Sequence, residues 1–135
     1  MATSVNPLSR LVVDEDAVNL ELLASTLETN VRLDLRQGGF SFLHGVRASL
    51  TSKQQILVAL LAQKALHLLE PQYPEALRPQ ELENVTGMKG GTLRPTLKAL
   101  HDARMIRADE KKAYYVPAFA IEDVAAHVAP LGGER

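Results

Sequence analysis

Between residues 88 and 112 the sequence carries seven cations, Lys89, Arg94, Lys98, Arg104, Arg107, Lys111 and Lys112, against three acids, Asp102, Asp109 and Glu110. Their spacing is as informative as their number. Leu93, Leu97 and Leu100 recur at i, i+4 and i+7, and so do Arg94, Lys98 and His101 one position later. A helix over this stretch buries the leucines and lines the cations and His101 along an exposed flank. Thr92 and Thr96 then fall on the other flank, and Pro95 points outward. These side chains suit the surface of a nucleic-acid duplex. An Arg fork pairs with O6 and N7 of guanine, a Thr hydroxyl bonds a base edge or touches a thymine methyl, and Lys neutralises phosphate. Lys89 adds its charge just ahead of the helix, where free backbone N–H groups already favour an anion.

Other chemistries are poorly supplied. The chain has no Cys, which removes disulfides, thiolate zinc sites and cysteine nucleophiles, and suits a reducing cytoplasm. His44, His67, His101 and His127 are far apart and lack the HxxxH-type spacing of a metal site. No P-loop, no GxSxG and no carboxylate pair with a nearby base is found. The expectation is therefore no enzyme, no catalytic residue, no metal and no cofactor.

Composition sets the frame. The 135 residues are 46% hydrophobic and 23% charged, enough for one domain with its own core. The net charge of −1 conceals an uneven distribution, because outside residues 88–112 the chain has eight cations against thirteen acids. With no Trp, three Tyr and three Phe, a base-stacking platform for single strands is poorly provided. Met1–Arg10 is polar and leads into no continuous apolar region, so no signal peptide is expected. Ile56–Leu69 is interrupted by Gln63, Lys64 and His67, and no membrane span is expected either.

The elements that would position the cations read off in order. Asp14, Glu15 and Asp16 suit the cap and first turn of a helix to about Glu28, with Val18, Leu22, Leu23 and Leu27 on one face. Val31, Leu33 and Leu35 alternate with charged residues, and Gln37-Gly38-Gly39 turns the chain toward Phe40 and Phe42, which predicts a β-hairpin. Thr51 or Ser52 caps a long helix, about Lys53–Leu69, with a narrow polar strip of Lys53, Gln63, Lys64 and His67. So apolar a helix needs cover on two sides, the second being either the N-terminal hairpin unit or another chain. Pro71 and Pro74 make a connector. Pro79 and Glu81 then start a short helix that Thr86-Gly87 stops. A turn, Met88–Gly91, leads to a helix over about Thr92–Arg104, whose first turn must hold Pro95. A strand from Met105-Ile106, a charged turn at Asp109–Lys112 and a strand over Ala113–Val116 make a second hairpin. Ile121, Val124, Ala125 and Val128 mark a last helix ending at Pro130.

The stretch Arg78–Pro117, RPQELENVTGMKGGTLRPTLKALHDARMIRADEKKAYYVP, resembles the winged helix-turn-helix domains of prokaryotic transcriptional regulators. Within it, ELENVTGMKGGTLRPTLKALHDARMI is similar to their second helix, turn, recognition helix and entry to the wing. With the helix from Lys53, the resemblance covers about half the chain. It implies a mainly α fold with small β-hairpins (α+β), a winged helix-turn-helix over residues 51–130. Ahead of it lies a helix-plus-hairpin extension, 1–50, for packing or dimerisation, and behind it a tail, 131–135.

The function implied is duplex-DNA binding by a transcriptional regulator acting as a homodimer. The recognition helix, about 92–104, would present Lys89, Thr92, Arg94, Pro95, Thr96, Lys98 and His101. The basic wing, 107–116, with Arg107, Lys111 and Lys112, would join Arg104 on the backbone. A winged helix used as a protein-interaction or scaffold module is the competing expectation. Gly87-Met88-Lys89-Gly90 also fits the backbone-clamping GxxG loop of KH domains, a minor RNA-binding alternative. Leu11–Glu28 resembles the start of a phosphoacceptor receiver domain. The later strands, phosphorylatable Asp and Lys of a receiver do not follow, and the acids are assigned to the helix cap.

Overall fold

Thr51 begins the element around which the rest is built. In the computed structural model, which describes Leu8 and residues 19–128, its hydroxyl accepts the N–H of Gln54 at 3.1 Å, and Gln54 Oε1 accepts the N–H of Thr51 at 2.9 Å. This reciprocal capping box opens the helix Ser52–Leu69. Before it come the helix α1 (Leu20–Glu28), strands β1 (Val31–Asp34) and β2 (Gly39–Phe42) and the short helix α2 (Val46–Ser49), so Ser52–Leu69 is α3. After it follow α4 (Pro79–Thr86), α5 (Gly90–Asp102), β3 (Arg107–Ala108), β4 (Tyr114–Tyr115), a 3₁₀ turn at Ala118–Ala120 and α6 (Ile121–Val128). The described chain is α+β, helices with two small antiparallel hairpins. None of its helices is long and apolar enough to cross a membrane.

Every residue from Ile56 to Ala62 is buried. Each large apolar side chain among them gains about 1.5–3 kcal/mol from leaving water. That cover comes from within the chain. α3 packs against α1, β1 and β2 on one side and against α4, α5, α6 and β4 elsewhere. Leu23, Leu27 and Val31 of the first fifty residues share one core with Leu82, Leu93, Leu100, Ile106 and Val124. Over Ile56–Ala62 the apolar circumference of α3 is thus covered within the chain, while Leu68 and Leu69 at its end stay exposed.

The polar strip expected on α3 is largely not wet. Gln63 and Lys64 are buried, because the connector folds back over them. Gln63 Nε2 donates to the Pro74 carbonyl, Lys64 Nζ pairs with Glu75 Oε2 at 2.5 Å, and His67 Nδ1 donates to the Tyr73 carbonyl at 2.7 Å. Buried polar groups persist only with such partners.

The first hairpin keeps the expected alternation as far as Leu33, with Val31 opposite Phe42 and Leu33 opposite Phe40, but β1 ends at Asp34 and Leu35 lies exposed in the turn. Gly38 takes a left-handed φ of +70° at its turn. The first helix starts later than expected. Asn19 is its cap, accepting the N–H of Leu22 at 3.0 Å, and Leu20 its first residue. Asp14, Glu15, Asp16 and Val18 lie outside the described residues, as does the stop expected at Pro130. In α6, Ile121, Val124, Ala125 and Val128 are all buried, as their spacing requires. α2 and the 3₁₀ turn have no counterpart in the sequence expectations.

Candidate nucleic-acid interface

Local rules place the two helices that carry the candidate residues. Pro79 occupies the first position of α4, where its missing N–H costs nothing, and Glu81 Oε1 accepts the N–H of Arg78 at 2.8 Å. Gly87 ends α4 in the left-handed region, φ +76°, its N–H bonded to the Glu83 carbonyl at 2.8 Å. Thr86 is buried; its hydroxyl donates to the Leu82 carbonyl at 2.6 Å and accepts the N–H of Met88 at 3.2 Å. Two residues, Met88 and Lys89, then separate Gly87 from α5.

α5 begins at Gly90, two residues ahead of the expected start, because the Lys89 carbonyl accepts the N–H groups of both Thr92 and Leu93 at 2.9 Å. Pro95 therefore sits inside the helix and not in its first turn. The bond that Pro95 cannot make would have gone to the Gly91 carbonyl. Gly91 and Pro95 are both exposed, so water can replace the missing partner, and the glycine at 91 leaves its neighbourhood open.

The leucine register holds. Leu93, Leu97 and Leu100 are buried, while Lys89, Thr92, Arg94, Pro95, Lys98 and His101 are exposed. Thr96 differs from them. It is half-buried, and its hydroxyl donates to the Thr92 carbonyl at 2.8 Å. Lys98 is paired with Asp102 at 3.2 Å across one helical turn, both side chains largely in solvent, at 77% and 63% exposure. Such a pair is weak, about 0.3–0.5 kcal/mol, and exchanges readily for another anion. The Arg94 guanidinium lies back along α5, 3.6 Å from where a Cβ on Gly90 would stand, with the Glu83 carboxylate 3.2 Å from the same point.

Arg104 falls beyond the end of α5, which stops at Asp102. Its φ of +65° is left-handed, its N–H bonds the His101 carbonyl at 3.0 Å, and Met105 N–H bonds the Leu100 carbonyl at 3.1 Å. This is a Schellman closure with Arg at the position glycine usually takes, at a cost of about 1 kcal/mol.

The second hairpin is shorter than expected. Arg107 pairs with Tyr115 and Ala108 with Tyr114. Asp109 shapes its turn: Oδ1 accepts the N–H groups of Lys111 at 2.8 Å and Ala113 at 2.9 Å. Lys111 and Lys112 remain exposed at the tip, Lys112 with φ +63°. Arg107 is exposed but held, its guanidinium carbon 4.7 Å from the centre of the Phe119 ring. Leu77 exchanges two backbone hydrogen bonds with Tyr114, of 2.9 and 2.7 Å, which ties the segment ahead of α4 to β4.

Two neighbours of this region carry no local sequence signal. Arg47 of α2 places its guanidinium against Gly87, and Phe119 supports Arg107 from the 3₁₀ turn. Among the described residues no three His, Asp or Glu side chains converge as a metal site would need. The GxxG stretch, Gly87–Gly90, covers the connection between α4 and α5 and the first residue of α5. No protein-family model, no curated protein and no solved structure matches this chain.

Proposed function

We propose that the protein is a winged helix-turn-helix that binds duplex DNA and regulates transcription. The observation that carries this reading is the Leu77–Tyr114 pairing. It places a one-residue bridge between α3 and α4 against β4, in the order helix, bridge, helix, turn, helix and hairpin, which supports a winged-helix layout. On that reading α5 is the recognition helix and β3–β4 the wing. The exposed row Lys89, Thr92, Arg94, Pro95, Lys98 and His101 supports it further, beside Arg104, Arg107, Lys111 and Lys112. Thr96, with its hydroxyl on the backbone, contributes least.

One such module, on a chain of net charge −1, would bind weakly, and a homodimer would raise the effective concentration of its second reading head. The exposed Leu20, Leu68 and Leu69, which line an apolar groove with Leu23, Leu27 and Leu33, offer the second copy a surface. The absence of cysteine suits a cytoplasmic place of work. The same groove favours the second reading, a winged helix that serves as a protein-interaction module.

A titration against mixed-sequence duplex DNA at two salt concentrations separates the readings. Duplex binding gives a log–log salt slope of roughly −0.9 per phosphate contact. No binding at low salt leaves the interaction module.

A further inference from the structure

We propose that Arg47 contacts a backbone phosphate of the bound duplex beside the α4–α5 turn, an inference that rests on the duplex-binding reading above. Arg47 lies forty residues before this turn and belongs to no basic cluster in the sequence. Folding brings it there. Its Nη1 is 3.3 Å, its guanidinium carbon 3.6 Å and its Nη2 3.8 Å from the point where Gly87 would carry a Cβ. A side chain at Gly87 would crowd the guanidinium from its place.

The backbone beneath Arg47 is anchored. Gln55 Nε2, on α3, donates to the Arg47 carbonyl at 3.0 Å and to the Leu50 carbonyl at 3.1 Å. The short helix α2 is thus fixed to the first turns of α3. The side chain itself is exposed, and no carboxylate among the described residues is within ion-pair distance of it. Lys98, by contrast, already has Asp102, and Arg107 already has Phe119. Arg47 is therefore an available fork of donors at the start of the turn that leads into α5. A guanidinium so placed bonds phosphate oxygens and reads no base. It would fix the register of α5 on the duplex.

The competing role is local. Arg47 also lies at the C-terminal end of α4, where the helix dipole favours a cation. Wild type, Arg47→Ala and Arg47→Lys are titrated with a mixed-sequence duplex and with a duplex selected by the wild type, each across a salt series. Thermal melts of all three proteins are run in parallel. Arg47→Ala is expected to flatten the salt slope by roughly 0.9 and to weaken both duplexes by the same factor, about three- to tenfold at low salt. Arg47→Lys is expected to keep the slope near wild type, since one charge still meets the phosphate.

An unchanged slope in Arg47→Ala, with a lowered melting temperature, overturns the inference and leaves only the helix-end role. A loss confined to the selected duplex also overturns it, because a phosphate contact weakens all sequences alike. If the wild type binds no duplex at low salt, the duplex-binding reading falls and this inference with it. If the wild type binds and Arg47→Ala binds equally, only this inference falls.

Discussion

The ring of Tyr73 fills the space that a side chain on Gly38 would occupy. Its hydroxyl donates to the carbonyl of Leu35, in the same turn. The connector between α3 and α4 thereby fastens the β1–β2 hairpin from outside. Gly38→Ala faces both a left-handed φ and the Tyr73 ring, and should destabilise the fold by about 2–4 kcal/mol. Gly39→Ala meets nothing within 4 Å and has no left-handed φ, and should stay within about 0.5 kcal/mol. Urea unfolding of the two variants checks the contrast, and equal losses would count against the Tyr73 contact.

Lys64 is buried on α3 with Glu75 as its ionic partner. Glu75→Gln leaves the ammonium without its counter-charge and should cost about 2 kcal/mol, less than a fully buried pair because Glu75 is 34% exposed. Lys64→Met in the Glu75→Gln background removes that charge and should recover most of the loss. A double variant no more stable than Glu75→Gln alone would sink the argument.

Pro95 interrupts the hydrogen-bond ladder inside α5. Restoring the donor with Pro95→Ala should raise stability by about 1–3 kcal/mol. A proline in the first turn would give almost no change, so chemical denaturation of this one variant reports where α5 begins.

Arg104 holds the left-handed position that closes α5. Arg104→Gly should stabilise the fold by about 0.5–1 kcal/mol while weakening duplex binding and flattening its salt slope. Greater stability with unchanged binding would remove Arg104 from the interface.

Arg94 and Lys111 are assigned different tasks on the duplex. Arg94→Ala should relax preference at one base pair, worth about 1–3 kcal/mol of discrimination, and Lys111→Ala should weaken all sequences alike. Binding selection from a random duplex pool with each variant reads both effects. Matching losses from the two would argue against α5 as the reading element.

Much of the architecture was legible along the chain. Leu93, Leu97 and Leu100 mark the buried face of α5, Pro79 and Gly87 bracket α4, and Thr51, one of two cap candidates, starts α3. Each depends on residues within a few positions of one another, where 3.6-residue periodicity and end-capping operate. The sequence places the start of α5 two residues late because a proline inside a helix is costly on average. Here the cost is reduced by an exposed, glycine-lined first turn.

Long-range partners had to come from folding. Gln63 and Lys64 look like solvent-facing residues until Pro74 and Glu75 close over them. Arg47 looks like an isolated surface cation until α2 brings it to Gly87, and the apolar run Ile56–Ala62 of α3 looks like an interface until α1, the first hairpin and the later helices cover it. Periodicity states which way a residue faces along its own element. What meets it there depends on segments far away in the chain, and the cost of burying a charge or an apolar face is decided only by that encounter.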